Sequence, residues 1–219
     1  MNEQAATNNG RMVLLLIFGL PITMILAASW LWFFVERGNL DLVGALGTHN
    51  SGSLLRPPRQ LDEQRIRDAD GREFRYSDME PRWSLLVANA GADCDATCER
   101  SLYLIRQIHT AIGKEYSRLR RVYIGDHAIN NTALDVEALS DESEAPEALA
   151  DYLATEQRGL KSLQVSPEAY ATLFAEQQSA ADTWYLVDPS GWVMMTYDHS
   201  ISYKDVISDL KFLLKNSSG

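Results

Sequence analysis

Two cysteines, Cys94 and Cys98, are the residues of this sequence best suited to chemistry, and the chain has no other cysteine. They lie in the segment GADCDATC, between an apolar run and a stretch with helical periodicity. A thiol at a helix N-terminus is favoured as the thiolate by the positive end of the helix dipole and by unpaired N–H groups. With three residues between them, the two sulfurs can come within disulfide distance if Cys94 lies just outside the helix. The same proximity would let both thiolates bind one soft ion such as Cu(I).

The pair also has two structural interpretations. Cysteine is among the most buried residue types, and Cys98 belongs to the apolar stripe of the predicted helix. The pair could therefore be inert core thiols or a permanent disulfide staple. Redox or metal chemistry is favoured because both cysteines lie where a strand turns into a helix.

The other candidate residues are less specific. His109 follows Cys98 by eleven residues, which places it on nearly the same helix face but about 16 Å farther along the axis, so we expect a core or boundary role. His127 follows a predicted strand, and we expect it to be solvated. Met194 and Met195 could supply thioether ligands for Cu(I), but adjacent strand residues point to opposite faces, so core packing is favoured.

The cysteines are positioned by a predicted buried strand over 84–90 and a helix from Asp95, its N-cap, to about Gly113. Beyond these two elements, the pattern predicts a hairpin over 64–76 around Asp70-Gly71, a strand over 121–124 and a helix over 144–155. It also predicts a helix over 167–178 capped by Ser166, a hairpin over 183–197, and a last helix from Ser202 to Leu214. This order fits an α/β fold, a thioredoxin-like mixed sheet flanked by helices.

A membrane span precedes this domain in the sequence. Residues 12–35 contain no charged side chain, and at about 1.5 Å per residue a helix of this length is roughly 36 Å, enough for a hydrocarbon core of about 30 Å. The alternative is a cleaved signal peptide, because Ala27-Ala28-Ser29 offers small residues. The apolar run continues past them, so an uncleaved N-terminal transmembrane helix over 12–35 is predicted, with a cytoplasmic tail over 1–11.

The segment 36–60 reads as a linker. It contains four glycines and the Pro57-Pro58 pair, which disfavour regular structure and extend the chain. His49 within it is expected to be solvated. Residues 61–219 remain as one thioredoxin-like domain.

Charge restricts the partners. The chain has 20 Lys+Arg against 30 Asp+Glu, a net charge of −10, and such a field repels the phosphate backbone, so nucleic acid is excluded as a partner. Eight of the carboxylates lie between Asp135 and Glu156, ahead of the next basic residue, Arg158. This run is typical of a solvated surface, and docking of a basic partner is the functional alternative.

Several of these pieces together resemble the Sco/SenC family of membrane-tethered, thioredoxin-like proteins that help metallate the copper site of cytochrome c oxidase. The matching pieces are the Asp70-Gly71 hairpin, the strand over 83–90, the Cys94-x-x-x-Cys98 motif, the helix over 102–112 and the late YLVDPSG motif over 185–191. The resemblance implies that Cys94 and Cys98 are the family's paired thiols. It also implies a single-pass protein of the bacterial inner membrane, with the C-terminal domain in the periplasm.

The sequence departs from the family pattern at three positions. Asp95 and Glu99 stand where family members usually have proline after each cysteine, and Ala180 stands near the position of their histidine ligand. Alanine has no donor atom for copper. The sequence is therefore interpreted as a divergent member without the usual histidine ligand.

Three functional hypotheses follow. The favoured one is a dithiol–disulfide function in oxidase assembly, in which Cys94, expected to be the more exposed, attacks a partner disulfide and Cys98 resolves the mixed disulfide. The second is Cu(I) delivery by the two thiolates. The third is a non-catalytic assembly scaffold with a structural disulfide. The expected partners are membrane lipid and either oxidase subunits or another periplasmic thiol protein.

A replacement for the missing histidine is a further hypothesis. If the Asp188–Gly191 turn closes a two-residue hairpin, Ala180 lies opposite His199, about 4.5–5.5 Å away. His199 would then complete a two-sulfur, one-nitrogen copper site with Cys94 and Cys98. A bulge would shift this register, and a polar residue before the last helix needs no special role.

Overall fold

A computed structural model of the chain describes residues 3–36 and 50–217, which fall into two compact units on either side of His49. The first unit consists of helix α1, Glu3–Glu36, which continues through Pro21. Along it, the described large apolar side chains, such as Leu16 and Phe18, are exposed.

Within the two described ranges, no helix has both the length and the apolar character needed to cross a membrane. The transmembrane helix over 12–35 therefore stays a prediction.

The linker predicted over 36–60 is wrong in its last part, because β1, Ser53–Gln60, is a strand of the main sheet. It pairs antiparallel with β10, Trp192–Tyr197, with its register shifted between Leu54 and Arg59. β1 is an edge strand, where Pro57 and Pro58 cost few ladder hydrogen bonds, and the Arg56–Pro57 peptide is cis. His49 and the rest of 37–49 lie outside the described residues.

The second unit is built on an eight-stranded mixed sheet. Besides β1 and β10, its strands are β2 Ile66–Asp68, β3 Glu73–Phe74, β4 Trp83–Asn89, β6 Leu119–Gly125, β8 Lys161–Gln164 and β9 Trp184–Val187. Their order across the sheet is β1-β10-β9-β4-β6-β8-β2-β3. Its centre is parallel: β4 pairs with β6 and β6 with β8, while the other neighbours are antiparallel. A separate parallel pair is formed by β5, Asp93–Cys94, and β7, Ala133–Leu134.

Helices cover both faces of the sheet, as the thioredoxin-like prediction requires. Every residue of β4 is buried, and its alternating side chains divide between two cores. Leu85 and Val87 pack in the core that contains the apolar faces of α2, Ala96–Ala111, and α5, Tyr203–Asn216. Leu86 and Ala88 pack in the core that contains α4, Pro167–Leu173. The strand thereby presents its C-terminal end between two helical layers.

The helix predicted over 144–155 is shorter than expected. Helix α3 is Leu149–Thr155, and the residues before it make isolated bridges instead of helical turns. The helix starts late because Ala148 is held in an extended conformation by its bridge to Ala133, and the Glu147 carbonyl accepts the Leu134 N–H at 3.0 Å.

The predicted starting residues of two other helices are correct. α4 is capped by the Ser166 side chain, as predicted, but it ends at Leu173, before the predicted residue 178, and is followed by a 3-10 turn, Ala175–Gln178. α5 is capped by Ser202, which accepts the Lys204 N–H at 3.2 Å.

Candidate redox site

Cys94 and Cys98 form a disulfide with their Cα atoms 5.3 Å apart. Cys94 is the last residue of the short strand β5. Its carbonyl accepts a hydrogen bond of 2.9 Å from the N–H of Asp135, which directly follows β7. Asp95 caps α2, because its carboxylate accepts the N–H groups of Thr97 at 3.0 Å and Cys98 at 2.9 Å. The predicted strand-to-helix corner with an Asp95 cap is therefore confirmed, with Cys98 in the first turn of the helix.

The loop that carries the chain from β4 to Cys94 is held from the neighbouring strand. Gly91 has a φ of 88°, a conformation that favours glycine. Its N–H donates to the Asp126 carboxylate at 2.7 Å, and Asp126 directly follows β6. The Asn89 side chain donates to the Asp93 carbonyl at 3.1 Å. These two contacts set the path of the backbone into the disulfide.

The expected order of exposure is reversed. Cys94 is 0% exposed, whereas Cys98 retains 7%. Cys94 is covered because β5 pairs with β7, and its residue partner Leu134 belongs to the same core. The prediction that Cys94 is the more exposed cysteine is therefore wrong.

A cavity of about 500 Å³ opens beside the disulfide at the C-terminal end of β4. Cys98 lines it, with Asp93 and Asp95 from the disulfide corner and Tyr170 and Phe174 from the α4 region.

The far wall of this cavity is held by Gln177, whose side-chain nitrogen donates to the carbonyls of Ala88 at 2.9 Å and Thr183 at 2.8 Å. The cavity is thus lined by an apolar wall, two exposed carboxylates and one cysteine of the pair.

His199 lies near the disulfide helix, but not through the predicted register. The strand pairing shifts at a bulge, so that Val187 lies opposite Val193 and Trp184 opposite Tyr197. The His199 N–H donates to the Asp182 carboxylate at 3.2 Å. The predicted pairing of His199 with Ala180 is therefore wrong, because the wider turn and the bulge advance β10 by two residues.

The His199 ring is committed to a hydrogen bond with Ser101. Nε2 lies 2.9 Å from the Ser101 hydroxyl, whose proton goes to the Thr97 carbonyl at 2.9 Å. In either tautomer Nε2 is engaged by the Ser101 hydroxyl, so this nitrogen is already used in a hydrogen bond instead of facing the two sulfurs as a free ligand. Burial lowers the pKa of His199, although the Asp182 carboxylate opposes this shift.

A three-ligand copper site is not assembled in the residues that the structure describes. Across 3–36 and 50–217, no three His, Cys, Asp or Glu side chains are grouped so as to hold a metal ion. The set Cys94, Cys98 and His199 is thus not brought together, and the donors that fit copper are the two sulfurs once the disulfide is reduced to thiolates.

The remaining candidates have structural roles. His109 is buried, stacks on Tyr116 with the ring centroids 3.9 Å apart, and donates from Nε2 to the Tyr116 carbonyl at 3.0 Å. The exposed His127 ring lies 2.8 Å from the Asp126 carboxylate. Met195 is buried in the core that contains the disulfide, and Met194 packs against the same core. The two methionines do not point to opposite faces, because the bulge interrupts the strand alternation.

Sequence reasoning missed Glu99, which follows Cys98. This carboxylate is 3% exposed and accepts hydrogen bonds from the Ser140 N–H at 3.2 Å, the Ser140 hydroxyl at 2.5 Å and the Tyr152 hydroxyl at 3.1 Å. Gln157 donates to Tyr152 and accepts from the buried Arg121, which extends the network. An acidic residue in the first turn of a helix carries no signal of burial, because its partners are distant in sequence.

Ser101 and the apolar wall were also not identified from the sequence. Ser101 follows Cys98 by one helical turn, and this spacing is a signal that places it on the same face. Tyr170 and Phe174 have no such signal, since only the tertiary fold brings α4 to the disulfide.

A disulfide at the corner between a buried strand and a capped helix, in a mixed sheet flanked by helices, defines a thioredoxin-like dithiol protein. The family model described as "Transmembrane-like, thioredoxin-like, C-terminal domain" matches residues 83–143 and 135–217. The chain belongs to this family.

Solved structures agree on the fold. Yeast Sco1 with copper bound superimposes with a TM-score of 0.51 at 15% identity, covering 78% of this chain and 97% of that chain. Another structure of yeast Sco1 gives a TM-score of 0.51 at 14% identity, covering 71% of this chain and 94% of that chain. The resemblance to the Sco/SenC family is thus confirmed at the level of the fold. A comparison with curated proteins found no significant match.

Proposed function

We propose that this chain is a Sco-like thiol protein that exchanges its Cys94–Cys98 disulfide with the thiols of a partner during assembly of a respiratory cytochrome c oxidase. The observation that carries the proposal is the disulfide at the first turn of α2, beside a cavity of about 500 Å³. An inert staple needs no such opening, whereas exchange requires that a second thiol reach one sulfur of the pair.

The chemistry is a transfer of two electrons. A partner dithiol gives up two electrons and two protons to become a disulfide, and the Cys94–Cys98 disulfide takes them up to become two thiols. The reverse reaction reduces a partner disulfide. The direction depends on the reduction potentials of the two pairs.

The test is a redox titration of the purified full-length chain in glutathione and dithiothreitol buffers, with free thiols counted after alkylation. We expect reversible reduction at a potential above about −300 mV, the range below which structural disulfides usually lie. A bond that stays oxidised below that potential would instead support the scaffold hypothesis, in which the disulfide is fixed.

Oxidase subunits are the proposed clients, and the support is the shared fold with yeast Sco1. In a strain lacking this gene, we expect oxidase activity to fall and to be restored by the native gene but not by Cys94→Ser or Cys98→Ser. Full restoration of oxidase activity by both serine variants would show that the thiols are not needed for assembly. Unchanged activity in the deletion strain would instead favour another periplasmic thiol protein as the client.

Delivery of Cu(I) is the second candidate function, with copper as the cargo. Two thiolates released by reduction at adjacent turns can bind one soft ion, and the yeast Sco1 structure with copper bound has the same fold. Competition against a strong Cu(I) chelator tests it. Delivery requires one-to-one binding by the reduced native chain and loss of that binding in Cys94→Ser. Because Nε2 of His199 is used by Ser101, His199→Ala should bind as the native chain does.

We further propose that residues 12–35 anchor the chain in the lipid of a bacterial inner membrane, with the second unit in the periplasm. The support is the uncharged run of 24 residues in the sequence. We expect the protein to resist alkaline carbonate washing and to retain Met1. A mature N-terminus near Ser29 or Trp30 would contradict the anchor, and a phosphatase fused after residue 217 that is inactive would contradict the periplasmic orientation.

A further inference from the structure

We propose that the partner thiol enters through the cavity and attacks Cys98, so that Cys98 and not Cys94 carries the mixed disulfide. This inference rests on the proposed thiol exchange and specifies its entry point. It reverses the assignment that the sequence alone suggests, in which the first cysteine is the exposed one.

Burial is the first argument. Cys94 is 0% exposed and lies in the ladder between β5 and β7, where its carbonyl accepts the Asp135 N–H at 2.9 Å. Because no part of Cys94 is exposed, a nucleophile could reach it only after the structure around it opens, for example by separation of β5 from β7. Cys98 retains 7% exposure in the closed structure, so attack there requires no such separation.

The cavity beside the disulfide shows where a partner thiol could enter. Cys98 lines the cavity and Cys94 does not. The opposite wall is supplied by Tyr170 and Phe174, both almost fully buried apart from this opening. The volume of about 500 Å³ is in the range that holds a small ligand or a few side chains. The occupant that fits is therefore an extended, cysteine-containing segment of a partner protein, with an apolar residue against Tyr170 and Phe174.

The exchange proceeds in two attacks. The partner thiolate forms a bond to Sγ of Cys98, and the bond between Cys98 and Cys94 breaks. The electron pair of that bond leaves on Sγ of Cys94, which takes up a proton. The second thiol of the partner dithiol then attacks the partner's own sulfur in the mixed disulfide. This second attack releases Cys98 as a thiolate and leaves the partner with a disulfide.

The direct test maps the mixed disulfide on the native, full-length, oxidised chain. The chain is treated briefly with 2-mercaptoethanol and then with N-ethylmaleimide, which caps the released thiol. Trypsin cleavage after Arg82 and Arg100 gives one peptide with both cysteines, and fragmentation between them assigns each label. We expect mercaptoethanol on Cys98 and maleimide on Cys94, with an excess of about ten-fold over the opposite arrangement.

Two results of this mapping separate the inference from the proposed function. Mercaptoethanol on Cys94, or on both cysteines equally, overturns the inference and leaves thiol exchange intact. A native disulfide that does not react at all overturns the proposed function itself.

The single-thiol variants provide a second measurement. Reaction with an aromatic disulfide reagent should be about ten-fold faster for Cys94→Ser, which keeps Cys98, than for Cys98→Ser. The matched control is the same reaction in denaturant, where the two rates should converge. If a variant does not fold, the mapping on the native chain still decides the assignment.

Discussion

Asp95 combines two roles at the scale of a single residue. Its carboxylate caps α2 by accepting the N–H groups of Thr97 and Cys98, and it also lines the cavity beside the disulfide. The cap pairs two N–H groups that would otherwise lack partners at the helix start. Asp95 therefore holds the first turn, and with it the backbone of Cys98.

Replacing Asp95 tests the cap. Asp95→Ala should lower the free energy of unfolding of the oxidised chain by about 1 kcal/mol, since the acceptor is lost. Asp95→Asn keeps an acceptor oxygen and should stay within a few tenths of a kcal/mol of the native value. Urea unfolding measures both. An equal loss in the two variants would show that the charge, and not the cap, is what stabilises the helix.

His109 contributes a pH dependence. Burial lowers its pKa below 6.5, although hydrogen bonds to the backbone carbonyls of Tyr116 and Leu119 oppose the shift. The folded chain therefore holds His109 neutral at pH values where the unfolded chain binds a proton. The contribution to stability is complete above about pH 6.5 and is lost as the pH falls from there toward the lowered pKa.

The matching measurement compares urea midpoints between pH 7.5 and pH 5 in the native chain and in His109→Gln. The glutamine keeps an N–H donor for the Tyr116 carbonyl but does not titrate. We expect a smaller loss of stability on acidification in the variant. Parallel pH profiles would mean that His109 is not responsible for the dependence.

At the scale of elements, the segment from Ala133 to Leu149 is attached to α2 through the buried Glu99. Its carboxylate accepts two hydrogen bonds from Ser140 and one from Tyr152 in α3. The same segment supplies β7, the strand that covers Cys94. Glu99 thus holds in place the segment whose strand β7 pairs with β5 at the buried Cys94.

Replacing Glu99 should loosen this attachment. Glu99→Ala leaves the buried Tyr152 hydroxyl and the partly buried Ser140 donors without this acceptor, so we expect a loss of about 2 kcal/mol in the free energy of unfolding. Glu99→Gln keeps one acceptor and should lose less. Glu137→Ala, at an exposed position of the same segment, is the control and should stay within about 0.5 kcal/mol. The Ser140 amide should also exchange its hydrogen faster in Glu99→Ala, and unchanged exchange would contradict the linkage.

For the molecule as a whole, a local excess of negative charge lies at the cavity beside the disulfide. Between Arg121 and Arg158 the sequence has no Lys or Arg, and most of its acidic side chains there are exposed. Asp93 and Asp95 are exposed at the cavity, and Asp135 is joined to Cys94 through the backbone. Such a field attracts cationic thiols and repels anionic ones.

Small thiols measure this field without a protein partner. Per thiolate, we expect the oxidised chain to react faster with cysteamine than with 2-mercaptoethanol, and slowest with 3-mercaptopropionate. The three rate constants should converge near 1 M salt, where the screening length falls to about 3 Å. Asp93→Asn should reduce the spread at low salt. An order that does not change with salt would contradict an electrostatic origin.

Features that depend on neighbours along the chain could be predicted from the amino-acid sequence. The Asp95, Ser166 and Ser202 caps, the Asp70-Gly71 hairpin and the strand-to-helix position of Cys94 and Cys98 follow from local hydrogen bonding and periodicity. These predictions are correct because each feature involves residues that are only a few positions apart in the sequence.

Features that depend on residues far apart in the sequence could not be predicted, because they form only when the chain has folded. Ser53–Gln60 is a strand because it pairs with β10. His199 contacts Ser101 and does not pair with Ala180, because a bulge shifts the register between β9 and β10. The relative burial of Cys94 and Cys98 depends on β7, and that of Glu99 on Ser140. Each of these contacts joins residues far apart in sequence, and packing of the two cores selects among registers and partners that local patterns leave equally available.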